Sequence, residues 1–344
     1  RGTTTPSSLW VAEINCLRIL MAGGADRKQL LIMIPFTGVG LNFGFRGQDW
    51  YHDRIEVFKR YTLASLENCQ TKKSGFILWL SFRPQERNNR LTVELSEYLL
   101  ENRFQFVMTF DGLMYYDDKF APAKILLNLG RVVRGWGRTK KVRFSEIAEL
   151  FTGRNRSLPY RLLHALGILD EKLPRCDWVY MTRIDSDDLL HRDALNEILD
   201  TPPEDGLAIT MKNGYIVRRM AEGYEIAEWR PKTNPPFHTL VFPAWKFFDP
   251  TEHLKFYRGY KSHEDIPKLF KTRDLRDGLY CVGIHSNHIS TLWEHPFRGQ
   301  TVNSAKAEEF GLFSPQIHYH PEHADGSLRT DKGESKEPDE SSSA

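Results

Sequence analysis

The chain has 344 residues, 40% hydrophobic and 27% charged, enough for one large globular domain or two ordinary ones with a sizeable core. Lys and Arg number 47 against 45 Asp and Glu, a formal charge of +2, which excludes a histone-like polycation or an acidic-tail protein but leaves a local basic groove open. No apolar run approaches the ~20 residues of a membrane-spanning helix. The four scattered cysteines form no C-x-x-C pair, which argues against a zinc ribbon or disulfide scaffold and suits a reducing compartment. The expected location is the cytoplasm, at most peripheral to a membrane; because Arg1 rather than Met opens the chain, loss of a targeting segment stays open.

Residues 1–28 are weakly patterned and read as a loose arm, and 321–344, with no aromatic residue and an Asp/Glu/Ser/Lys ending, as a disordered tail. Between them strand and helix patterns alternate. Gln29–Phe36 is a continuous apolar run, as a strand buried on both faces requires. His52–Gln70 carries Ile55, Phe58, Tyr61, Thr62, Leu63 and Leu66 at helical spacing. Phe76–Phe82 predicts a second strand, Leu91–Glu101 a helix, Phe104–Phe110 a third strand, Ser145–Phe151 and Tyr160–Leu169 helices, and Asp177–Ile184 a fourth strand. Alternation of this kind predicts an α/β fold with a mixed, mainly parallel sheet flanked by helices. Ligands in such sheets sit at the carboxyl ends of strands.

The fourth strand ends in Thr182-Arg183-Ile184-Asp185-Ser186-Asp187-Asp188, three carboxylates within four residues, before a helix expected over His191–Leu199. Mutual repulsion makes such a cluster unfavourable unless a cation or solvent relieves it. Asp185 and Asp187 are spaced to converge on a hard divalent cation, with phosphate oxygens and water completing its shell. The competing reading is plain: Asp187 or Asp188 caps the following helix.

The string WVYMTRIDSDD resembles the D-x-D segment of GT-A glycosyltransferases, and more narrowly a family of rhamnosyltransferase-like proteins whose strand ends in T-R-x-D-x-D-D. Arg154-Asn155-Arg156-Ser157, leading into Tyr160-Arg161-Leu162-Leu163-His164, resembles the helix preceding D-x-D in family-2 enzymes. Trp50, Arg54, Phe58, Tyr61-Thr62-Leu63, Ser65-Leu66 and Gln70-Thr71 resemble the family's W..R...F..YTL.SL..QT pattern. The likeness spans about residues 29–300. It implies one GT-A-like (Rossmann-like) catalytic domain over 29–320, with a nucleotide-donor half at 29–190 and an acceptor half at 191–320. The implied activity is transfer of a sugar, rhamnose being the family's label, from a nucleotide-sugar donor to the hydroxyl of a carbohydrate or glycan acceptor, with inversion. Asp185 and Asp187 would flank Mn²⁺ or Mg²⁺ and the donor's diphosphate, whose leaving charge a divalent cation stabilises. Asp188 would support them from the helix start. Arg154, Arg161 and Arg183 would contact the donor, although Arg183 beside three carboxylates equally suits an ion pair.

An inverting transferase needs a carboxylate to take the acceptor proton. Ser262-His263-Glu264-Asp265-Ile266-Pro267 is similar to the x-E-D motif of inverting family-2 enzymes, implying Asp265 as base with Glu264 as alternate; the same residues also fit the first turn of a helix. GT-A enzymes often use a late His as a further metal ligand, which makes His285 or His288, after the strand-like Leu279–Val282, a candidate; each equally suits a hydrogen-bonded structural role. Imidazole favours Mn²⁺ over Mg²⁺.

The glycines at 38, 40, 44 and 47 form neither a P-loop nor a G-x-G-x-x-G. In the GT-A reading Pro35, Phe36 and Thr37 cradle the nucleoside. Phe82-Arg83 stands where family-2 enzymes often carry an Asp that contacts the base, which shifts that expectation to Asp111. Arg131, Arg134, Arg138, Lys140, Lys141 and Arg143 around Trp136 suit donor phosphate, an anionic polymer or nucleic acid as acceptor, or simply a solvated loop. Trp229-Arg230-Pro231 and Pro235-Pro236-Phe237-His238 occupy the place of acceptor loops. Two rival functions compete: a metal-dependent phosphoryl-transfer enzyme that would use the same carboxylates, and a non-enzymatic anion-binding module that would use the 131–143 stretch, with the acidic cluster as a cap.

Overall fold

The computed structural model describes residues 27–37, 47–71, 75–112, 158–220, 223–232, 235–253, 263–285, 301–302 and 304–313. The first sheet contains β1 (Lys28–Pro35), β2 (Phe76–Ser81), β3 (Phe106–Thr109) and β4 (Trp178–Arg183). After β5 (Asp188–Leu190), which belongs elsewhere, it adds β6 (Leu207–Thr210) and, after β7 (Gly214–Met220) and β8 (Gly223–Trp229), β9 (His238–Pro243) and β10 (Lys271–Asp274). Its order is β10-β6-β9-β4-β1-β2-β3. All neighbours run parallel except at β9, which opposes both β4 and β6.

Helices connect the parallel strands: α1 (Gln48–Phe58), a π-helical turn (Lys59–Leu63) and α2 (Ala64–Asn68) between β1 and β2, α3 (Arg90–Glu101) between β2 and β3, and α4 (Leu158–Lys172) before β4. Strand side chains alternate between faces, and the core divides accordingly. Leu30, Ile32, Ile34, Leu78 and Leu80 pack with Phe58, Leu95 and Leu99 on one face. Leu31, Met33, Ile77 and Trp79 pack with Leu162, Ala165, Leu166 and Leu169 on the other. Continuous apolar runs were needed because β1 and β2 are covered on both sides. The indole of buried Trp79 donates to Thr109 Oγ1 at 3.0 Å, so its polar edge is satisfied inside the second cluster.

The helix expected over His52–Gln70 is longer, starting at Gln48 and passing through the π turn to Asn68. The helix expected at His191–Leu199 is present as the shorter α5 (Ala194–Asp200), and the strand β5 precedes it. Leu189 and Leu190 are fully buried, and pairing with β11 (Tyr280–Ile284) supplies their backbone partners, which keeps the stretch extended ahead of α5. That pairing builds a second sheet, β12-β8-β7-β11-β5, with β12 at Thr301–Val302. Its outer face carries Val217, Ile226, Leu189 and Cys281 against Ala307 and Phe310, from α6 (Ser304–Glu308) and the turn after it. Leu30 and Ile32 of the first sheet share one cluster with Ile216, Ala227 and Tyr280 of the second. Residues 1–26 of the predicted arm, the tail and the Ser145–Phe151 helix fall outside the described residues, as does the 131–143 basic stretch; Lys28, expected in the arm, opens β1.

Candidate functional site at the carboxyl ends of β1 and β4

From β1 the chain moves outward to β2 and β3, then returns to the other side of β1 as β4. Strand order reverses between β1 and β4, the position where open α/β sheets leave a crevice outside the strand ends. Pro35, Phe36 and Thr37 close one side of that position. Ile184 and the acidic segment close the other.

Thr37 is buried, and its Oγ1 accepts from the Arg83 backbone N–H at 2.9 Å, which braces the end of β1 against the end of β2. Arg83 turns inward to a buried ion pair with Glu86 at 2.7 Å. Phe36, Phe82 and Phe110, at the ends of β1, β2 and β3, form an aromatic ladder with centroids 5.0 and 5.7 Å apart. Buried Asp111 accepts from or shares a proton with His164 Nδ1 at 2.8 Å, so this expected nucleoside contact faces α4. An open hollow of about 800 Å³ lies between the amino ends of α1 and α3, lined by residues including Gln48, His52, Asn88 and Asn89; no residue of the acidic segment lines it.

The acidic segment is held from two sides. Arg54 on α1 reaches Asp187 with both terminal nitrogens, Nη1 to Oδ2 at 2.7 Å and Nη2 to Oδ1 at 2.9 Å, and its Nε donates to Ser186 Oγ at 2.9 Å. Both side chains are buried. Thr62 Oγ1 lies 3.5 Å from the Asp185 carbonyl, and Ser65 Oγ accepts from the Leu190 N–H at 3.2 Å. From β11, His285 Nε2 lies 3.1 Å from Asp187 Oδ2, its ring stacked on Tyr61 at 6.1 Å. Gly283 passes so close that a Cβ there would overlap the Asp187 carbonyl oxygen.

The charges divide unequally. Burial opposes ionisation of Asp187, but the Arg54 guanidinium and His285 outweigh it and hold the carboxyl below the usual carboxylate range. Burial, then the charges of Asp187 and Asp185, push Asp188 well above that range. Asp185 accepts from Arg183 Nη2 at 2.7 Å and is the outward carboxylate, its side chain 36% exposed. Two guanidiniums, of Arg54 and Arg183, therefore face the carboxylates of Asp187 and Asp185 and offset the charge of the segment.

Neither Asp187 nor Asp188 caps a helix: Asp188 opens β5, and the residue before α5 is Asp193. Arg183 is the ion-pair partner that its neighbours invited. Asp265 ends a 3₁₀ turn (His263–Asp265), and Lys268 Nζ holds its carboxylate at 2.9 Å. His263 of that turn lies within electrostatic range of His238, the β9 register partner of Arg183. Burial, Arg183 and His263 together depress the His238 imidazole well below its ordinary range. Phe237, expected near an acceptor, is buried and stacked on Tyr280 at 4.0 Å instead. Arg154 and His288 fall outside the described residues, and Arg161 is described only as part of α4.

Sequence reasoning assigned no role to Arg54, Thr62, Ser65 or Gly283. The signal was present: Arg54, Tyr61, Thr62 and Ser65 share roughly one face of a helix whose buried side is otherwise apolar. A buried polar stripe must meet partners.

As a cation cage, the expected set of Asp185, Asp187 and His285 fits poorly. Both Asp187 oxygens face Arg54, and His285 Nε2 faces Asp187. Among the described residues no three His, Cys, Asp or Glu side chains gather as a metal site. Asp185 does fit, since Mg²⁺ typically takes only one or two carboxylates and draws its other oxygens from phosphate and water.

No protein-family model matches the sequence, and no curated protein matches it. Among solved structures the chain is similar to S. aureus TarS 1-349, at 15% identity and a TM-score of 0.34, over 75% of this chain and 60% of that one. It is likewise similar to TarS 1-349 in complex with UDP, at 14% identity, with the same TM-score and coverage. This chain thus spans less than two thirds of the length of the structures it matches.

Proposed function

We propose that this chain is a GT-A-like glycosyltransferase, moving a sugar from a nucleotide-sugar donor to an acceptor hydroxyl with inversion. One observation carries the reading: an ordered, charge-compensated acidic segment meets the end of β1 at the reversal of strand order. The segment's outward carboxylate is Asp185. A divalent cation held by Asp185 would supply charge compensation to the departing diphosphate. Pro35 and Thr37 bound the nucleoside side of the crevice, and Arg183 fixes the direction of Asp185. In the transfer, the acceptor oxygen bonds to the anomeric carbon as the bond from that carbon to the diphosphate oxygen breaks. The acceptor proton passes to a carboxylate, assigned to Asp265. Rhamnose as the sugar rests on the sequence resemblance alone, as does a carbohydrate or glycan as acceptor.

Isothermal calorimetry with UDP, GDP and dTDP, each with and without Mn²⁺, tests the reading. One of these nucleotides should bind, more tightly with Mn²⁺, and Asp185→Asn should remove that gain. Absence of binding by all three would sink the proposal.

A further inference from the structure

The acidic segment sits in a mould made by two elements remote in sequence. One wall is the helix 48–68, which supplies Arg54, Thr62 and Ser65; the other is β11, which supplies Gly283 and leads into His285. The strongest point of attachment is the two-pronged Arg54–Asp187 pair, a geometry that fixes both the distance and the plane of the carboxylate. The carboxylate of Asp185, two residues away, is held by Arg183 at the end of its own strand and faces outward.

We propose that Arg54 is a positioning residue of the donor site and Asp187 its buried anchor, so that Asp185 alone of the three carboxylates addresses the diphosphate and any cation it carries. The proposal rests on the transferase reading above. It inverts the expectation from spacing that Asp185 and Asp187 act as equals. It also sets a demand at position 54: a lysine keeps the charge but offers a point contact in place of a planar fork. It cannot reproduce the paired bonds to both Asp187 oxygens together with the Nε bond to Ser186.

The test uses the full chain, thermal unfolding, and calorimetry with UDP, GDP and dTDP with and without Mn²⁺. Asp187→Asn should weaken nucleotide binding about tenfold yet keep the gain on adding Mn²⁺, whereas Asp185→Asn loses that gain. Arg54→Lys should weaken binding by a similar factor. The double variant Arg54→Lys/Asp187→Asn should be no weaker than the worse single variant, because both act through one contact. Should Arg54→Lys unfold, Ser186→Ala, which removes only the Nε contact, should shift affinity in the same direction with the Mn²⁺ gain intact. If Asp187→Asn abolishes the Mn²⁺ gain as fully as Asp185→Asn, Asp187 is a ligand and the inference fails while the transferase reading stands. Additive losses in the double variant overturn it equally. A wild-type chain that binds none of the three nucleotides overturns the transferase reading and this inference with it.

Discussion

His253 shows how a single side chain sets a property of the folded protein. Its imidazole is buried, stacked on Phe242 at 5.5 Å and edge-on to Phe247 at 5.0 Å. Burial lowers it to about 4, against an ordinary value of 6.5. The unfolded chain therefore takes up a proton that the native state refuses. The corresponding stability is complete above pH ~6.5 and is lost as pH falls toward 4, about 3 kcal/mol in all. His238, depressed by burial and Arg183, acts in the same direction. Urea unfolding at pH 7.5 and pH 5 should show the loss, and His253→Phe should reduce the slope. An unchanged slope in that variant would remove His253 as its source. The Arg54–Asp187 pair belongs to this scale too: deleting one partner strands a buried charge and costs about 3–5 kcal/mol.

Among the elements, the helix 48–68 and β11 carry the consequences. The π turn Lys59–Leu63 falls where Tyr61 meets His285 and Thr62 meets the Asp185 carbonyl. Such turns concentrate at functional sites, since an extra residue re-aims side chains without breaking the helix. Gly283 is needed on β11 because the backbone of Asp187 lies directly against it. Gly283→Ala must displace the acidic segment or bend the strand, an overpacking cost of about 1–3 kcal/mol. A lower unfolding temperature together with weaker nucleotide binding is expected, and wild-type behaviour in both measurements would show that the contact has room to relax. Helical spacing made the 48–68 helix readable in the sequence. Strand β5 was not readable, because three residues hold no period and its extension depends on β11, far along the chain.

At the scale of the molecule, the acidic segment leads from the central sheet to the edge of the second, so the candidate site lies where the two are joined. Asp265 comes from another part of the chain, directly before Ile266, which packs in the α4-side cluster, and the edge strand β10 follows. Assigned as the base, it should be separable from donor binding. Asp265→Asn is expected to lower turnover by about 10²–10⁴-fold while nucleotide affinity stays close to wild type. Retained turnover would reject the assignment, and Glu264→Gln would be the next variant to assay. Among the described residues no helix is long and apolar enough to cross a membrane.

The amino-acid order alone was sufficient for the strand–helix alternation from β1 to β4, the mainly parallel sheet and the position of the acidic segment at a strand end. These follow from local periodicity and from the burial of whole strands, which a linear pattern records. It could not separate the roles of the three carboxylates. Arg54 and Asp187 stand 133 residues apart, and Asp187 and His285 stand 98 apart. Ionic contacts over such separations exist only once the helix 48–68 and β11 have packed around the segment. Folding makes Asp187 an anchor, pushes Asp188 toward its neutral form and leaves Asp185 facing out, because charge state depends on burial and on the nearest opposite charge rather than on neighbours in the chain.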